Sequence, residues 1–245
     1  MNKKTPLVLL LTILLTALLT LAIQAEQGQE YSKEMQHFTY TYYQKDEPIN
    51  EINNRLEKYY NKILNKYNVK LNRQVKITIY PDVNSFHKGA KVTNKSPGIV
   101  GKAISSYKIA FVSPLNPGKV HNYESILKIA VHEFVHISTN KINRNIPIWL
   151  NEGISLYEAE QVNPNHIKQI IRAEKVPTIK DLESNFYENF GYTVSGTIVE
   201  YIVDMYSYDK LIRLIKSPNN YKGIFGLSKE AFFSNWKGYL YKNYE

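Results

Sequence analysis

Residues 129–137 read Ile-Ala-Val-His-Glu-Phe-Val-His-Ile, and after a mostly polar interval residues 147–153 read Pro-Ile-Trp-Leu-Asn-Glu-Gly. An α-helix turns every 3.6 residues, so His132 and His136 leave the first segment on one face, with side chains rooted about 5–6 Å apart. Two imidazoles so placed can share one metal ion. A hydrolytic zinc site takes three protein ligands and keeps one position open, and this helix supplies two nitrogens plus a carboxylate that need not ligate. Glu133 follows the first histidine directly and is placed to act as general base.

The third ligand has to come from another element, and Glu152 is the candidate. Pro147 suits the first position of a new helix, where its missing N–H costs nothing. A helix antiparallel to the first, joined through 141–145, returns Glu152 towards the two histidines. Without a metal, three ionisable groups buried on apolar helices would each be costly to desolvate. The pattern therefore favours Zn²⁺, one ion, over a hydrogen-bonded core.

The segments His-Glu-Phe-Val-His and Trp-Leu-Asn-Glu-Gly together resemble the gluzincins, the peptidase MA-like group. Residues 191–204 and 232–240 are similar to the helices that follow the zinc site in that group, so the resemblance spans roughly 71–245. It implies His132, His136 and Glu152 as metal ligands and Glu133 as base. It also implies an α+β, zincin-like fold, with a small mixed β-sheet over the HExxH helix and a mainly helical C-terminal half. The sequence departs from the group in two places. Thermolysin-like members carry an aspartate four residues after the glutamate ligand, where this chain has Leu156, so another acceptor must orient His132. No Gly-x-Met-Glu-Asn strand precedes His132, which points away from aminopeptidases and towards an endopeptidase.

Hydrophobic periodicity fills in the rest. From Pro48 to about Tyr67, Ile49, Ile52, Leu56, Tyr59, Tyr60, Ile63, Leu64 and Tyr67 recur at helical spacing. Val75–Tyr80 alternates with period two and ends at Pro81-Asp82, the pattern of a half-buried strand. A short helix over 83–87 and strands over 98–104 and 108–113 are expected next. Either of those last strands could pair with an extended peptide at a sheet edge. The metal helix is expected from Tyr123 or Glu124 to about Ser138. After the Glu152 helix, further helices are expected near 164–173, 190–206, 207–216 and 228–241. All strands precede the metal helix, which argues α+β.

Composition narrows the function. The chain has no cysteine, which excludes disulfides, thiolate catalysis and Cys-ligated zinc. Its net charge of +9 comes from dispersed lysines and arginines with no nucleic-acid motif, so nucleic acid is not an expected partner. Loose association with anionic membrane or cell-wall polymers is. Residues 1–25 run from Lys3-Lys4 through an apolar stretch to Ala25, the order of a signal peptide or N-terminal membrane anchor. The expected organisation is thus 1–25 as that segment, 26–70 as an N-terminal segment with an amphipathic helix, and 71–245 as the metallopeptidase domain, placed outside the cytoplasm.

Three further residues are singled out. Tyr192 opens the helix similar to the gluzincin post-zinc segment and is the candidate for stabilising an oxyanion. Asn151, beside the ligand Glu152, is the candidate to hydrogen-bond a ligand histidine, and Gly153 is expected where two helices approach closely. His87, His121 and His166 read as surface or loop histidines, with His121 the nearest to the site. The expected activity is an exported zinc metalloprotease acting on a peptide or protein substrate. Its rivals are a catalytically silent zinc-binding envelope protein and a zinc amidase acting on cell-wall peptide.

Overall fold

The structure is a computed structural model and describes residues 29–245. Five strands form one mixed sheet: β1 (Tyr31–Glu34), β2 (Phe38–Tyr42), β3 (Val75–Tyr80), β4 (Gly101–Ser105) and β5 (Lys108–Val112), in the spatial order β1-β2-β3-β5-β4. β2, β3 and β5 run parallel, while β1 and β4 pair antiparallel at the two edges. β2 and β3 alternate apolar with polar residues, as expected for Val75–Tyr80, whereas β5 is buried on every residue after Lys108. Val75, Ile77 and Ile79 of β3 and Ile109 to Val112 of β5 are buried.

Helix α1 (Ile49–Lys66) and the longer α3 (Tyr123–Ile142) pack together against the sheet, while the short α2 (Val83–Gly89) lies beside β3 and β5. Phe134 of α3 meets Phe38 of β2 and Tyr60 of α1 edge-on and face-on, with ring centroids 5.7 and 5.6 Å away. β1 and β2 arise from the tyrosine-rich stretch before α1, where no strands are expected from periodicity. They belong to the same sheet as β3, so residues 31–66 share one core with the rest. β1 and β2 are short, and alternation over four or five residues is a weak signal.

The C-terminal half is helical: α4 (Ile148–Glu158), α5 (Pro164–Arg172), α6 (Ile179–Ser184), α7 (Gly191–Met205), α8 (Tyr208–Lys216), α9 (Tyr221–Phe225) and α10 (Lys229–Tyr244). The architecture is α+β, a small mixed sheet followed by a mainly helical half, consistent with the zincin-like expectation. α6 and α9 escape the sequence reading because one or two turns carry too little periodicity. α3 starts where expected, capped by Asn122, whose side chain accepts from the Ser125 N–H while Ser125 returns a bond to the cap. It continues one turn past Ser138, since no breaker intervenes before Asn143. Pro147 stands at the N-cap of α4, one place earlier than expected.

One expectation is corrected. The N-terminal signal or anchor, residues 1–25, falls outside the described residues, and a location at the outer face of a membrane held by a hydrophobic segment is not upheld. Among the described residues no helix is long and apolar enough to cross a membrane. The longest, α3, carries Glu124, Lys128, Glu133 and Lys141 within 20 residues, and its apolar faces are consumed by the core.

Candidate metal centre

α3 is buried over nearly its whole circumference from Ile126 to Thr139, so the groups at its centre are held away from water. α4 runs back along it, and α7 locks α4 from behind. Gly153 makes that approach possible: a Cβ there would lie 2.5 Å from the Ser195 carbonyl oxygen of α7. Gly196 reciprocates, since a Cβ on it would strike Val162 at 2.5 Å. The close approach expected at Gly153 is therefore real, and its effect is to bring the neighbouring Glu152 over the histidine face of α3.

His132, His136 and Glu152 each present one donor atom, and these atoms lie within 4.8 Å of one another. The Glu152 carboxylate is 3.2 Å from His132 Nε2 and 3.6 Å from His136 Nε2. Two donors each about 2.0–2.1 Å from a tetrahedral zinc are separated by roughly 3.3 Å, so the group fits one ion of that size. Both Nε2 atoms face the carboxylate because both Nδ1 atoms are held on the other side. His132 Nδ1–H donates to Gln161 Oε1 at 2.7 Å, and His136 Nδ1 bonds Ser155 Oγ at 3.1 Å. These bonds orient both rings, and a ring that keeps its proton on Nδ1 offers its Nε2 lone pair to a metal ion.

Electrostatics follow from burial. His136 is pulled down to about 4 by desolvation, with Glu152 opposing. Desolvation also pulls His132 down, but its hydrogen bond and charge interaction with Glu152 outweigh that and leave it raised. Glu152 is lowered: burial pushes it up, and the charges of His136 and His132 overcome the push. Glu133 is driven up to about 7 by burial, with His132 opposing and Glu152 assisting. A carboxyl poised near neutral pH can both take and return a proton, as acid–base work requires.

β4 lies directly over Glu133. A Cβ on Gly101 would sit 2.6 Å from Glu133 Oε1 and 2.5 Å from Ile129 Cγ2, so only glycine lets the strand pass this close. Of the two strands that could receive a peptide, β5 is interior and β4 is the edge. Cavities flank Glu133 along this edge. One, of about 560 Å³, is walled by Ile99, Val100, Ile129, Leu156, Tyr187 and Tyr192; the other, of about 270 Å³, by Ala103, Asn140 and Asn151. Gly101, His132, Glu133 and Tyr192 line both.

A family model described as the Peptidase MA superfamily matches residues 59–242. The chain belongs to the Peptidase MA superfamily. Comparison with curated proteins gives no match.

Within this peptidase superfamily member, the residues singled out in the sequence fall into place unevenly. His132, His136 and Glu152 converge, and Glu133 is adjacent. Tyr192 spans the cleft: 46% of its surface is exposed, yet its pKa is raised by desolvation and by Glu152, Tyr187 and Glu133, so the hydroxyl end is the sheltered part. Asn151 Oδ1 accepts the Thr139 hydroxyl at 2.7 Å, tying α4 to α3, and its side chain opposes the drop in the His136 pKa. His121 bonds the Gly98 carbonyl at 2.9 Å and lines the larger cavity, as does His166, with neither in the metal group. His87 is not a surface residue: it is buried, with Nε2 2.8 Å from the Ile99 carbonyl, because α2 turns it under the chain leading into β4.

Ser155 and Gln161 are the functional neighbours that sequence reasoning misses. Ser155 lies three residues after Glu152 and so on nearly the same helix face, a signal that could have been used. Gln161 has no such signal. It lies beyond the end of α4, where Glu160 adopts a left-handed conformation (φ 55°) and the Gln161 N–H returns to the Leu156 carbonyl at 2.9 Å. That turn redirects the side chain onto His132.

Proposed function

We propose that this chain is a zinc-dependent endopeptidase. The observation that carries the reading is the convergence of His132, His136 and Glu152 beside a buried Glu133, directly under the free edge of β4. Two imidazoles and one carboxylate are the donor set of hydrolytic zinc sites, and three protein ligands leave a fourth position for chemistry. A zinc ion bound there supplies Lewis acidity, acidifying water and polarising a carbonyl.

The remaining work belongs to the chain's own residues. Among the described residues no strand pairs with the outer edge of β4, which leaves that edge to an extended peptide. Glu133 Oε accepts the proton of the attacking water and donates it to the departing amine nitrogen. The Tyr192 hydroxyl, across the cleft, donates to the oxyanion that develops on the attacked carbonyl. Asn151, through Thr139, holds α4 in register with α3. Cavities on both sides of Glu133 give a substrate room to continue in both directions, which supports internal cleavage of a peptide or protein.

The test is Glu133→Gln. It should bind zinc as the parent does and lose about 10²–10⁴-fold in kcat, measured by peptide-library cleavage and by titration against a chromophoric chelator. A fully active variant would remove Glu133 from the mechanism.

A further inference from the structure

The β4–β5 hairpin and the C-terminal end of α3 meet at the end of the cleft lined by Ala103 and Asn140. Positive charge gathers at this corner. Arg73 and Lys141 approach the Tyr107 ring, 3.8 and 4.1 Å from its centroid. Lys141 Nζ donates to the Tyr107 hydroxyl at 2.6 Å, and that hydroxyl donates to Asn72 at 2.7 Å. Arg144 donates to the Ser106 hydroxyl at 2.9 Å. Lys108 and Lys76 pair across the neighbouring strands but point to the opposite face of the sheet, outside this corner.

Residues 69–81, 101–113 and 134–151, which build the corner, contain no Asp or Glu. Among the described residues, none of Arg73, Lys141 and Arg144 pairs with a carboxylate. Lys141 and Arg144 stand where a helix C-terminus favours cations, but Arg73 lies in the loop before β3, where that explanation does not reach. Cations held together by a tyrosine ring and a serine hydroxyl, without a counter-charge, form a prepared receptor for anions.

The corner is continuous with the cleft. β4 runs from Gly101, over Glu133, to Ser105, four residues or about 13 Å further on. An extended peptide paired to this edge therefore carries side chains three to five residues from the cleaved bond over Ser105 and Ser106, within reach of the cations. Arginine's planar fork matches a carboxylate with two parallel bonds.

We infer that this corner is a recognition subsite for acidic side chains of the substrate, located on the side of the cleaved bond that lies over the C-terminal end of β4. The inference rests on the peptidase reading. It is tested with fluorogenic peptides built on a sequence that the zinc-loaded protein cleaves, carrying Glu, Gln or Lys at the third to fifth positions on either side of the bond. On one side only, Glu peptides should show kcat/KM about five- to tenfold above Gln peptides, mainly through KM, with the advantage shrinking between about 0.05 and 0.5 M salt. The Lys141→Glu/Arg144→Glu variant should lose the preference for Glu over Gln peptides and prefer Lys peptides instead. Equal cleavage of Glu, Gln and Lys peptides at low salt would overturn the subsite and leave the peptidase reading intact. If the zinc-loaded protein cleaves no sequence in a broad peptide library, that reading falls and the subsite with it. Cation-dependent sedimentation with phosphatidylglycerol vesicles, without any acidic preference in peptides, would make the corner a lipid contact and overturn the subsite as well.

Discussion

Gly153→Ala puts the smallest side chain at the point where α4 and α7 touch. Its Cβ would meet the Ser195 carbonyl oxygen at 2.5 Å and the Ser195 carbonyl carbon at 2.9 Å, both backbone atoms that cannot rotate aside. Ordinary contact begins near 3.4 Å, so the helices must part by about 0.9 Å. Overpacking of this kind costs about 1–3 kcal/mol, which for a chain of this size lowers Tm by roughly 3–10 °C. The functional loss should be larger, because Glu152 is the adjacent residue and metal–ligand distances tolerate only about 0.2 Å. Zinc affinity should fall by about 10–100-fold, a loss comparable to removing a supporting hydrogen bond. Chelator competition reads the affinity, and thermal melts without metal read the packing. Gly238→Ala serves as control: nothing lies within 4 Å of a Cβ there, and a helical glycine-to-alanine change should leave the fold as stable or raise Tm slightly. If Gly153→Ala keeps parental zinc affinity and parental Tm, the claim that this helix contact sets the ligand geometry is wrong.

Gln161→Ala removes the acceptor of His132 Nδ1–H and should weaken zinc binding about 10–100-fold with little change in the apo Tm; Gln161→Glu should restore affinity. Glu158 is buried and accepts from Lys66 Nζ at 2.8 Å and the Tyr67 hydroxyl at 2.9 Å, so Glu158→Ala leaves the buried Tyr67 hydroxyl unpaired and Lys66 with Tyr208 alone, and should cost about 1–3 kcal/mol in urea denaturation. Glu47 is buried, and desolvation raises its pKa to about 7 against an opposing bond from Ser113. The fold therefore favours its protonated form, and the parent should lose stability as pH rises from about 4.5 to about 7, then level off. In Glu47→Gln that decline should be reduced, leaving the variant more stable at pH 8 by about 1–3 kcal/mol in paired melts; identical pH profiles would refute the assignment.

How far the chain can be read in advance depends on the range over which each signal acts. His132, Glu133 and His136 are legible because helical spacing alone puts them together, and Glu152 because a short connection returns it. α1, β3, β4, β5 and the longer late helices carry recognisable patterns and β1, α6 and α9 are too short for one, while β2, as long as β4 and β5, is hidden in the tyrosine-rich stretch around it. Gln161 is illegible because its place depends on a left-handed turn at Glu160, a residue with no side-chain preference for that conformation. The choice between β4 and β5 as the free edge is likewise absent from either strand's pattern.

Local periodicity by itself determined that His132 and His136 share a helix face beside Glu133, and the α+β order of elements, since these follow from residues a few positions apart. Only the tertiary structure decided which strand edge overlies Glu133, which side chains fix the two imidazoles and where the cations gather, because each depends on segments distant in the chain meeting across a packed interface.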